Sequence, residues 1–341
     1  MKLSSLGEFG LIERIRKRTP KTSSRTLLGI GDDAAAIKVS SSSLLIATTD
    51  MLLEGVHFDL TYTDLYSLGW KSAAVNLSDI AAMGGTPRAC LVSIGIPSSF
   101  SVEQIEDLYE GLQVQLDRYS VDLVGGDTCK SLMGLMINIT ILGEVKRETI
   151  VSRAGARPGD RIFVTGTLGD SAAGLEILKG RSNVQGFVGS KRIKMHDAPY
   201  NTLILRHLCP IPRIEWGRKI ALADCASAMI DISDGLSSDL EHICKPSNVG
   251  AVIVADKIPL SKSLQRAESI LARNSLDYAL SGGEDYELLV TVPLPKVKKL
   301  RSLKIPLTEI GEISLTKKLL IADTRGKKTS LRPQGYDHFK H

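Results

Sequence analysis

Residues 64–83 read DLYSLGWKSAAVNLSDIAAM, and this stretch predicts one long helix that is apolar on nearly every side. A helix of that kind is buried in the protein. Asn76 and Asp79, three residues apart, share one face with Ser72, so a polar line follows a helix that otherwise belongs to the core. An unpaired buried carboxylate is costly, so Asp79 needs a cation. A metal ion, a helix cap and an ion pair with an arginine are all open at this point.

Carboxylates also stand beside glycine, or at the ends of short apolar runs, in five other blocks. The runs at 44–47, 121–124 and 228–231 predict strands, and we expect the carboxylates where those strands end. In open α/β sheets ligands collect at the carboxyl ends of strands, and carboxylate oxygens suit Mg²⁺. The blocks therefore predict a cleft that gathers Mg²⁺ and phosphate, although a Gly-Asp-Asp run alone is typical of a turn. They are Gly29-Ile30-Gly31-Asp32-Asp33, Thr48-Thr49-Asp50, Gly125-Gly126-Asp127-Thr128, Asp231-Ile232-Ser233-Asp234-Gly235 and Gly282-Gly283-Glu284-Asp285.

The length of the chain and the order of its elements predict two α/β domains. At 341 residues the chain exceeds the usual size of one domain, and predicted strands alternate with helices throughout. The apolar pattern breaks between Glu148 and Pro158. We therefore expect an N-terminal domain at 1–150 and a C-terminal domain at 151–341.

The composition limits the partners and the location of the protein. A net charge of +5, from 43 basic and 38 acidic residues, is too small to indicate nucleic-acid binding. Five cysteines, an odd number without Cys-x-x-Cys spacing, argue against a disulfide framework and a zinc site. The sequence has neither a signal-peptide pattern nor an apolar run of the roughly 18 residues that span a bilayer. We therefore expect a cytoplasmic protein that does not bind membranes.

Taken together, the blocks resemble one family, thiamine-monophosphate kinase, within the superfamily of aminoimidazole ribonucleotide synthetase-like proteins. No single block decides the resemblance, but the set in this order is specific. It covers nearly the whole chain except the stretches around 180–200 and 293–330. The matching segments are 29–33, 49–50, 56–58, 74–85, 125–128, 152–153, 164–175, 207–213, 231–240, 281–287 and 335–339.

The resemblance implies a mixed α/β fold of two domains, in which the N-terminal domain pairs with a second copy through a shared β-barrel. It implies an enzyme that transfers the γ-phosphoryl group of ATP to thiamine monophosphate, the last step of thiamine diphosphate biosynthesis. The implied partners are these two substrates and a second copy in a homodimer. An acceptor phosphate is already ionised near pH 7, so no side chain is expected to act as a general base.

The resemblance also implies roles for individual residues, carried over position by position. Several Mg²⁺ ions held by carboxylates would reduce the repulsion between the two phosphates. Arg153 suits paired contacts with phosphate, and Tyr336 suits stacking on a thiamine ring. The implied metal ligands are Asp33, Thr48, Thr49, Asp50, Asp79, Asp127, Asp231 and Asp234. The implied contacts with ATP are Gly126, Asp127, Arg153 and Ser233, and those with thiamine are His57, Glu284 and Tyr336.

Other interpretations of these residues remain open. Without the resemblance, His57 is typical of a core or edge histidine, Tyr336 of packing at a chain end, and Glu284 of a turn cap. The chain is also compatible with another ATP-dependent enzyme of the superfamily, such as aminoimidazole ribonucleotide synthetase or selenophosphate synthetase. The latter expects a reactive N-terminal cysteine, and no cysteine precedes Cys90. A non-catalytic nucleotide- and metal-binding protein is a third hypothesis, against which the many like charges of the carboxylate set argue.

Overall fold

Two β-sheets, one from each half of the chain, carry the helices and loops of this protein. The structure is a computed structural model, and it describes residues 26–28, 32–40, 42–181 and 200–335. Among the predicted site segments, Gly29, Ile30, Gly31 and Tyr336 lie outside the described residues. No helix in the described ranges is both long enough and apolar enough to span a bilayer.

The N-terminal half forms a six-stranded sheet. Its strands are β1 (Thr26–Leu28), β2 (Ala35–Lys38), β3 (Ser43–Leu53), β4 (Thr86–Pro97), β5 (Asp122–Ser131) and β6 (Met136–Lys146). They lie in the order β1-β2-β3-β6-β4-β5, and every neighbouring pair is antiparallel except β4 with β5. Side chains alternate between the two faces, so Leu44, Ile46 and Leu52 of β3 are buried on one face while Thr49 and Met51 lie on the exposed face.

Two helices, α1 (Leu65–Ala82) and α2 (Val102–Asp117), cover the buried face of this sheet. Helix α1 begins after Asp64, whose side chain caps it. Thirteen of its 18 residues are buried, so the prediction of a buried helix is confirmed. The two helices approach closely because Gly69 has no side chain: a Cβ atom there would lie 1.8 Å from the carbonyl oxygen of Leu108.

The C-terminal half forms a seven-stranded sheet, in which the strands lie in the order β13-β12-β9-β11-β7-β10-β8. These strands are β7 (Arg161–Thr165), β8 (Ala228–Asp231), β9 (Gly250–Val254), β10 (Leu288–Val292), β11 (Leu307–Ser314), β12 (Leu319–Ala322) and β13 (Lys328–Ser330). Its helices are α3 (Asp170–Arg181), α4 (Asn201–Leu208), α5 (Ile214–Leu222), α6 (Leu236–Ser247), α7 (Lys262–Ala267), α8 (Ser275–Ser281) and α9 (Val297–Arg301). Only β9 and β12 pair in parallel, and every residue of β8 and β10 is buried. The strand predicted at 228–231 is confirmed.

Helix α1 joins the two halves because it packs on both of them. On one side it covers β3 and β6, and on the other it contacts α5 and β8. Leu77 of α1 shares one hydrophobic core with Met229 of β8. A Cβ atom at Gly217 of α5 would lie 2.0 Å from the carbonyl oxygen of Ala81. The C-terminal part of α1 is therefore fixed between the two sheets, and this is the part that carries Asp79.

Two of the predicted strand ends are wrong. Strand β3 continues through Asp50 to Leu53, because each of its residues has a partner on β6. Strand β5 includes Asp127, because residues 122–131 pair with β4. The hydrogen-bonded ladder outweighs the polar and glycine-rich composition of these segments. Both carboxylates lie inside strands of a largely antiparallel sheet, so the rule for parallel strand ends does not position them.

The carboxylate of Glu287, directly before β10, connects α4 and the start of α5 to the second sheet. It is fully buried and accepts hydrogen bonds from Arg213 Nε at 2.8 Å, Arg206 Nη2 at 2.7 Å and Thr165 Oγ1 at 2.6 Å. Glu287→Ala would remove the carboxylate that two largely buried guanidinium groups share. We expect the free energy of unfolding, measured with urea, to fall by about 3–5 kcal/mol.

A matched control for this variant is Glu144→Ala. Glu144 pairs with Arg88 on the surface, where the two side chains are 49% and 58% exposed. An exposed pair of this kind contributes no more than about 1 kcal/mol. Equal losses for the two variants would contradict a locking role for Glu287.

Candidate active site

Three carboxylates that are distant in sequence meet where α1 contacts the second sheet. Asp33 precedes β2, Asp79 lies on α1 and Asp231 ends β8, and each brings one oxygen within 4.8 Å of the others. Asp33 and Asp231 are buried, with exposed fractions of 8% and 2%. The three elements that carry these residues are held together by the shared core around α1. The structure therefore brings together three of the predicted metal ligands.

The like charges of this carboxylate cluster repel one another in a largely buried site. Burial, followed by the charge of Asp33, raises the pKa of Asp231 to about 8. Burial, followed by the charges of Asp50 and Asp231, holds the pKa of Asp79 well above its ordinary value. Such shifts mean that the carboxylates resist being ionised together unless a cation offsets their charge.

Some oxygens of the cluster are held by neighbouring hydroxyl groups, and others, with an oxygen of the adjacent Asp50, remain open to a ligand. Ser78 Oγ donates to Asp231 Oδ2 at 2.6 Å, and Thr48 Oγ1 donates a short hydrogen bond to Asp79 Oδ2. Among the described residues, neither Asp33 Oδ2 nor Asp50 Oδ2 has a hydrogen-bond partner, although both atoms are buried. Buried carboxylate oxygens without a donor are ligands that a hard cation such as Mg²⁺ prefers. The residues present thus fit a divalent cation.

Arg153 lies at the edge of the carboxylate cluster and contacts the segment before β2. Its Nη2 donates to Asp33 Oδ1 at 2.5 Å. Asp32 accepts from the backbone N–H groups of Asp33 at 3.0 Å and of Arg153 at 3.3 Å. Burial, followed by the charge of Asp33, raises the pKa of Asp32 to about 6. Asp32 thus fixes the backbone of the segment, while the side chain of Arg153 balances part of the charge of the cluster.

Asp127 and Thr49 lie away from the carboxylate cluster. Asp127 is exposed on edge strand β5, which is separated from β3 by β6 and β4, roughly 14 Å in all. It pairs with Ser93 in a cross-strand row that also contains Met51, on the exposed face of the sheet. The Thr49 hydroxyl lies on that same face and bonds the carbonyl oxygen of Ile139 at 3.0 Å. The side chains of Asp50 and Asp127 therefore belong to opposite faces.

Gly126 is required by close packing between β5 and β4. A Cβ atom at this position would lie 1.8 Å from the carbonyl oxygen of Val92. We expect Gly126→Ala to lower the free energy of unfolding by about 1–3 kcal/mol, because backbone must move to make room. Gly125→Ala is the control, since its Cβ would meet only a side-chain atom of Leu91 at 3.6 Å. Urea unfolding of both variants measures the difference, and equal effects would contradict this account.

The loop after β8 packs against the loop before β10. The carbonyl oxygen of Ser233 accepts from the backbone N–H of Glu284 at 2.7 Å, and that of Ile232 accepts from Tyr286 at 2.9 Å. Asp234 lies in the same loop, and its backbone N–H donates to Asp239 at 3.2 Å. Ser233, Asp234 and Glu284 are therefore brought to the same side of the second sheet as Asp231.

The remaining predicted residues occupy two different settings. His57 lies in the turn after β3, where its Nδ1 accepts from the backbone N–H of Leu53 at 3.0 Å. Glu284 forms an ion pair with Lys71 of α1. Asp285, next to it, caps the start of α3 by accepting from the backbone N–H groups of Gly169 and Ser171. A capping role, the alternative given above for Glu284, therefore belongs to its neighbour Asp285, which caps a helix.

Comparison with known proteins places both halves of the chain in one family. The family model for the AIR synthase related protein, N-terminal domain, matches residues 31–145, and the model for its C-terminal domain matches residues 157–319. Thiamine-monophosphate kinase of Escherichia coli (strain K12) is 40% identical over 339 residues, which cover 98% of this chain and 98% of the relative. The chain belongs to the thiamine-monophosphate kinase family.

Two further relatives of the thiamine-monophosphate kinase family agree along the full length. The enzyme of Buchnera aphidicola subsp. Acyrthosiphon pisum (strain APS) is 39% identical over 336 residues, which cover 97% of this chain and 98% of the relative. A solved structure described as "AaThiL complexed with AMPPCP and TMP" has a TM-score of 0.85 and 38% identity, and covers 99% of both chains. The mixed α/β fold of two domains predicted from the sequence is confirmed.

Four buried polar residues of this family member were not expected from the sequence. Ser78 bonds Asp231, Asp239 bonds the Asp234 backbone, and Lys71 and His207 contact Glu284. Burial, followed by the charges of Asp234 and Asp231, holds the pKa of Asp239 well above its ordinary value. The one sequence signal for Ser78 and Lys71 is their position as polar residues in an otherwise apolar helix.

Proposed function

We propose that this protein transfers the γ-phosphoryl group of ATP to the phosphate of thiamine monophosphate, giving thiamine diphosphate and ADP. The observation that carries the proposal is the carboxylate cluster of Asp33, Asp79 and Asp231, set in a chain that aligns with thiamine-monophosphate kinases along its full length. A phosphate oxygen of thiamine monophosphate forms the new bond to the γ-phosphorus, and the bond from that phosphorus to the bridging oxygen of ADP breaks. The attacking oxygen carries no proton near pH 7, so no side chain has to remove one.

Asp33, Asp50, Asp79 and Asp231 are the proposed first group of Mg²⁺ ligands. When bound, Mg²⁺ would offset the negative charge of the phosphates and of the group in transfer. Neighbouring hydroxyl groups orient these carboxylates, because Thr48 bonds one oxygen of Asp79 and Ser78 bonds one oxygen of Asp231. The Oδ2 atoms of Asp33 and Asp50 have no such partner among the described residues. Thr48, through its backbone carbonyl, Thr49, Asp127 and Asp234 complete the proposed set of ligands. Because Asp127 lies on the opposite face of the N-terminal sheet from Asp50, it would hold an ion separate from that of the carboxylate cluster.

The nucleotide and thiamine ends of the site are assigned to different loops. Arg153 is proposed to contact ATP phosphate, since its guanidinium already reaches the carboxylate cluster. Gly126, Asp127 and Ser233 are the other proposed contacts with ATP. The proposed contacts with thiamine are His57, Glu284 and Tyr336.

We also propose a homodimer formed through the N-terminal sheet as a shared β-barrel. Strand β5 is an edge of that sheet, and its outer side has no partner strand among the described residues. Leu91, Val124, Met51 and Met136 expose 36–59% of their surface on this part of the sheet. An open edge beside exposed apolar side chains is typical of a surface that another chain covers. We expect sedimentation analysis to show a dimer that Val124→Lys weakens, and a monomeric parent protein would contradict this assignment.

One assay tests the proposed reaction. Purified protein is incubated with Mg²⁺ and ATP, with and without thiamine monophosphate, and thiamine diphosphate and ADP are quantified. We expect the two products in equal amounts, and only when thiamine monophosphate and Mg²⁺ are both present. ADP release that is independent of thiamine monophosphate would indicate another superfamily activity, and binding of ATP without product would indicate a non-catalytic protein. The proposed location is the cytoplasm, where ATP is available.

A further inference from the structure

A buried lysine of helix α1 pairs with Glu284, one of the proposed contacts with thiamine. Lys71 of α1 is 2% exposed, and its Nζ lies 2.8 Å from Glu284 Oε1 and 2.9 Å from Oε2. These two residues are 213 positions apart and belong to different halves of the chain. A buried ammonium group is costly without a partner, so Lys71 requires this carboxylate.

The imidazole of His207 contacts the same carboxylate from a third element. His207 of α4 is buried, and its Nδ1 lies 3.2 Å from Glu284 Oε2 and 3.1 Å from Ser171 Oγ. Its Nε2 lies 3.4 Å from Lys71 Nζ. The Glu284 carboxylate is therefore contacted by Lys71 of α1 and by His207 of α4, while the Glu284 side chain remains 30% exposed. Part of the Glu284 side chain is thus open to a ligand.

The backbone of Glu284 is fixed as firmly as its side chain. Its φ is +64°, a left-handed conformation that residues other than glycine rarely adopt. Its N–H donates to the carbonyl oxygen of Ser233 at 2.7 Å, next to the loop that follows Asp231. Such a conformation persists only where surrounding contacts impose it, and such positions concentrate at ligand sites.

We propose that Lys71 is a positioning residue for thiamine monophosphate, which holds the Glu284 carboxylate in one orientation toward the thiamine end of the substrate. This inference rests on the proposed function and adds a residue to it. A carboxylate suits either the cationic thiazolium ring or the amino group of the aminopyrimidine. Lys71 reaches the substrate only through Glu284, so its loss should affect the binding of thiamine monophosphate and leave the ATP end unchanged.

Lys71→Met provides the first test, because methionine keeps much of the side-chain volume without the charge. We expect the KM for thiamine monophosphate to rise about tenfold or more, since a charged hydrogen bond no longer orients Glu284. We expect kcat and the KM for ATP to change less than about threefold. Lys71→Arg keeps the charge and should recover most of the affinity. An unchanged KM for thiamine monophosphate in Lys71→Met would overturn the proposal.

A double-mutant cycle separates positioning from general stability. Glu284→Gln should itself raise the KM for thiamine monophosphate, and adding Lys71→Met to it should raise that KM little further. Two independent effects would instead multiply, and the proposal would be wrong. If the parent protein forms no thiamine diphosphate, the proposed function fails first. If the parent is active and the cycle is multiplicative, only the role of Lys71 fails.

A pH series gives a readout that a merely structural role would not change. Burial alone would raise the pKa of Glu284, but Lys71 and then His207 hold it well below its ordinary value. Among the described residues, the other titratable groups near Glu284 are Tyr62, Tyr286 and His207 itself, whose pKa is lowered by burial and then by Lys71. Without the ammonium group, the Glu284 carboxyl should take up a proton more readily. Loss of Lys71 also removes a charge that lowers the pKa of His207, so the series is run in a His207→Gln background, where no imidazolium can replace the ammonium group. There the KM ratio of Lys71→Met to its Lys71 counterpart should grow from pH 7.5 to about pH 5.

The ratio, rather than the KM itself, is compared because titration of the substrate cancels in it. The same ratio for Glu284→Gln should stay flat over this range, since glutamine does not titrate. Calorimetric binding of thiamine monophosphate without ATP should follow the same pattern. A flat ratio for Lys71→Met would overturn the proposal.

Discussion

Replacing Asp79 by asparagine is expected to lower kcat at least about 1,000-fold while the chain stays folded. Asp79 belongs to the carboxylate cluster with Asp33 and Asp231, and its replacement removes a charge from the proposed Mg²⁺ site. Interactions that stabilise developing charge in a water-poor site contribute several kcal/mol to catalysis. The free energy of unfolding should change little. Burial, and then the charges of the neighbouring carboxylates, raise the pKa of Asp79, so its ionised form is already disfavoured in the folded chain. Removing one of several like charges relieves repulsion.

The measurement for Asp79→Asn combines steady-state kinetics, calorimetric Mg²⁺ titration and urea unfolding in EDTA. Mg²⁺ affinity should fall together with kcat, whereas the free energy of unfolding in EDTA should stay equal or rise. Asp117→Asn is the matched control, because Asp117 is an exposed aspartate at the end of α2. If Asp79→Asn unfolds, and activity falls only in proportion to the folded fraction, Asp79 has a structural role.

The second large effect is expected in the dependence of stability on pH. A carboxyl group whose pKa is raised by folding binds its proton more tightly in the folded state. Its stabilisation is complete below the ordinary pKa of about 4 and is lost as the pH rises toward the raised value. Burial and the charge of Asp33 raise the pKa of Asp231 to about 8. In EDTA the free energy of unfolding should therefore fall, on the order of a few kcal/mol, between pH 5 and pH 8.

Mg²⁺ should reverse this loss above about pH 7, because a divalent cation binds the ionised carboxylates of the folded state. Asp285 separates the two contributions. Burial raises its pKa to about 8 as well, but its carboxylate bonds the backbone N–H of Gly169 away from the carboxylate cluster. Asp285→Asn should reduce the pH slope with the Mg²⁺ effect intact, whereas Asp231→Asn should reduce both. Stability that is independent of pH in EDTA would contradict the raised pKa values.

The carboxylate cluster lies where a bound Mg²⁺ would offset phosphate charge. Three elements bring Asp33, Asp79 and Asp231 together at the contact between the two halves. Hydroxyl groups of Ser78 and Thr48 hold two of these carboxylates, and two buried oxygens of Asp33 and Asp50 stay open. A site of this kind suits the neutralisation of phosphate charge, which is the main obstacle when two anionic substrates meet.

Glu284 and Glu287 both form buried ion pairs, but the two carboxylates differ in their exposure and backbone. Glu287 is fully buried and surrounded by two arginines, so its role is to lock helices onto the second sheet. Glu284 has similar charged partners but keeps part of its surface open and takes a left-handed backbone. Both residues form ion pairs, so exposure and backbone strain are what distinguish Glu284, the proposed ligand contact, from Glu287, the structural residue.

The local patterns of the sequence determined the buried character of α1 and the strand at 228–231, and they predicted that Asp79 needs a cation. These properties follow from periodicity and from the cost of burying charge, and both can be derived from neighbouring residues alone. The order of the motifs along the chain indicated the family. Only the tertiary structure decided which carboxylates meet, because Asp50 and Asp127 have similar sequence settings but lie on opposite faces of one sheet.

The pairings of Ser78 with Asp231 and of Lys71 with Glu284 were likewise decided by the tertiary structure. They span 153 and 213 residues, and no local pattern joins such positions. They exist because α1 is buried between the two sheets and presents its few polar side chains to both. The sequence therefore determined that α1 must be buried and that its polar residues need partners, while long-range packing selected those partners.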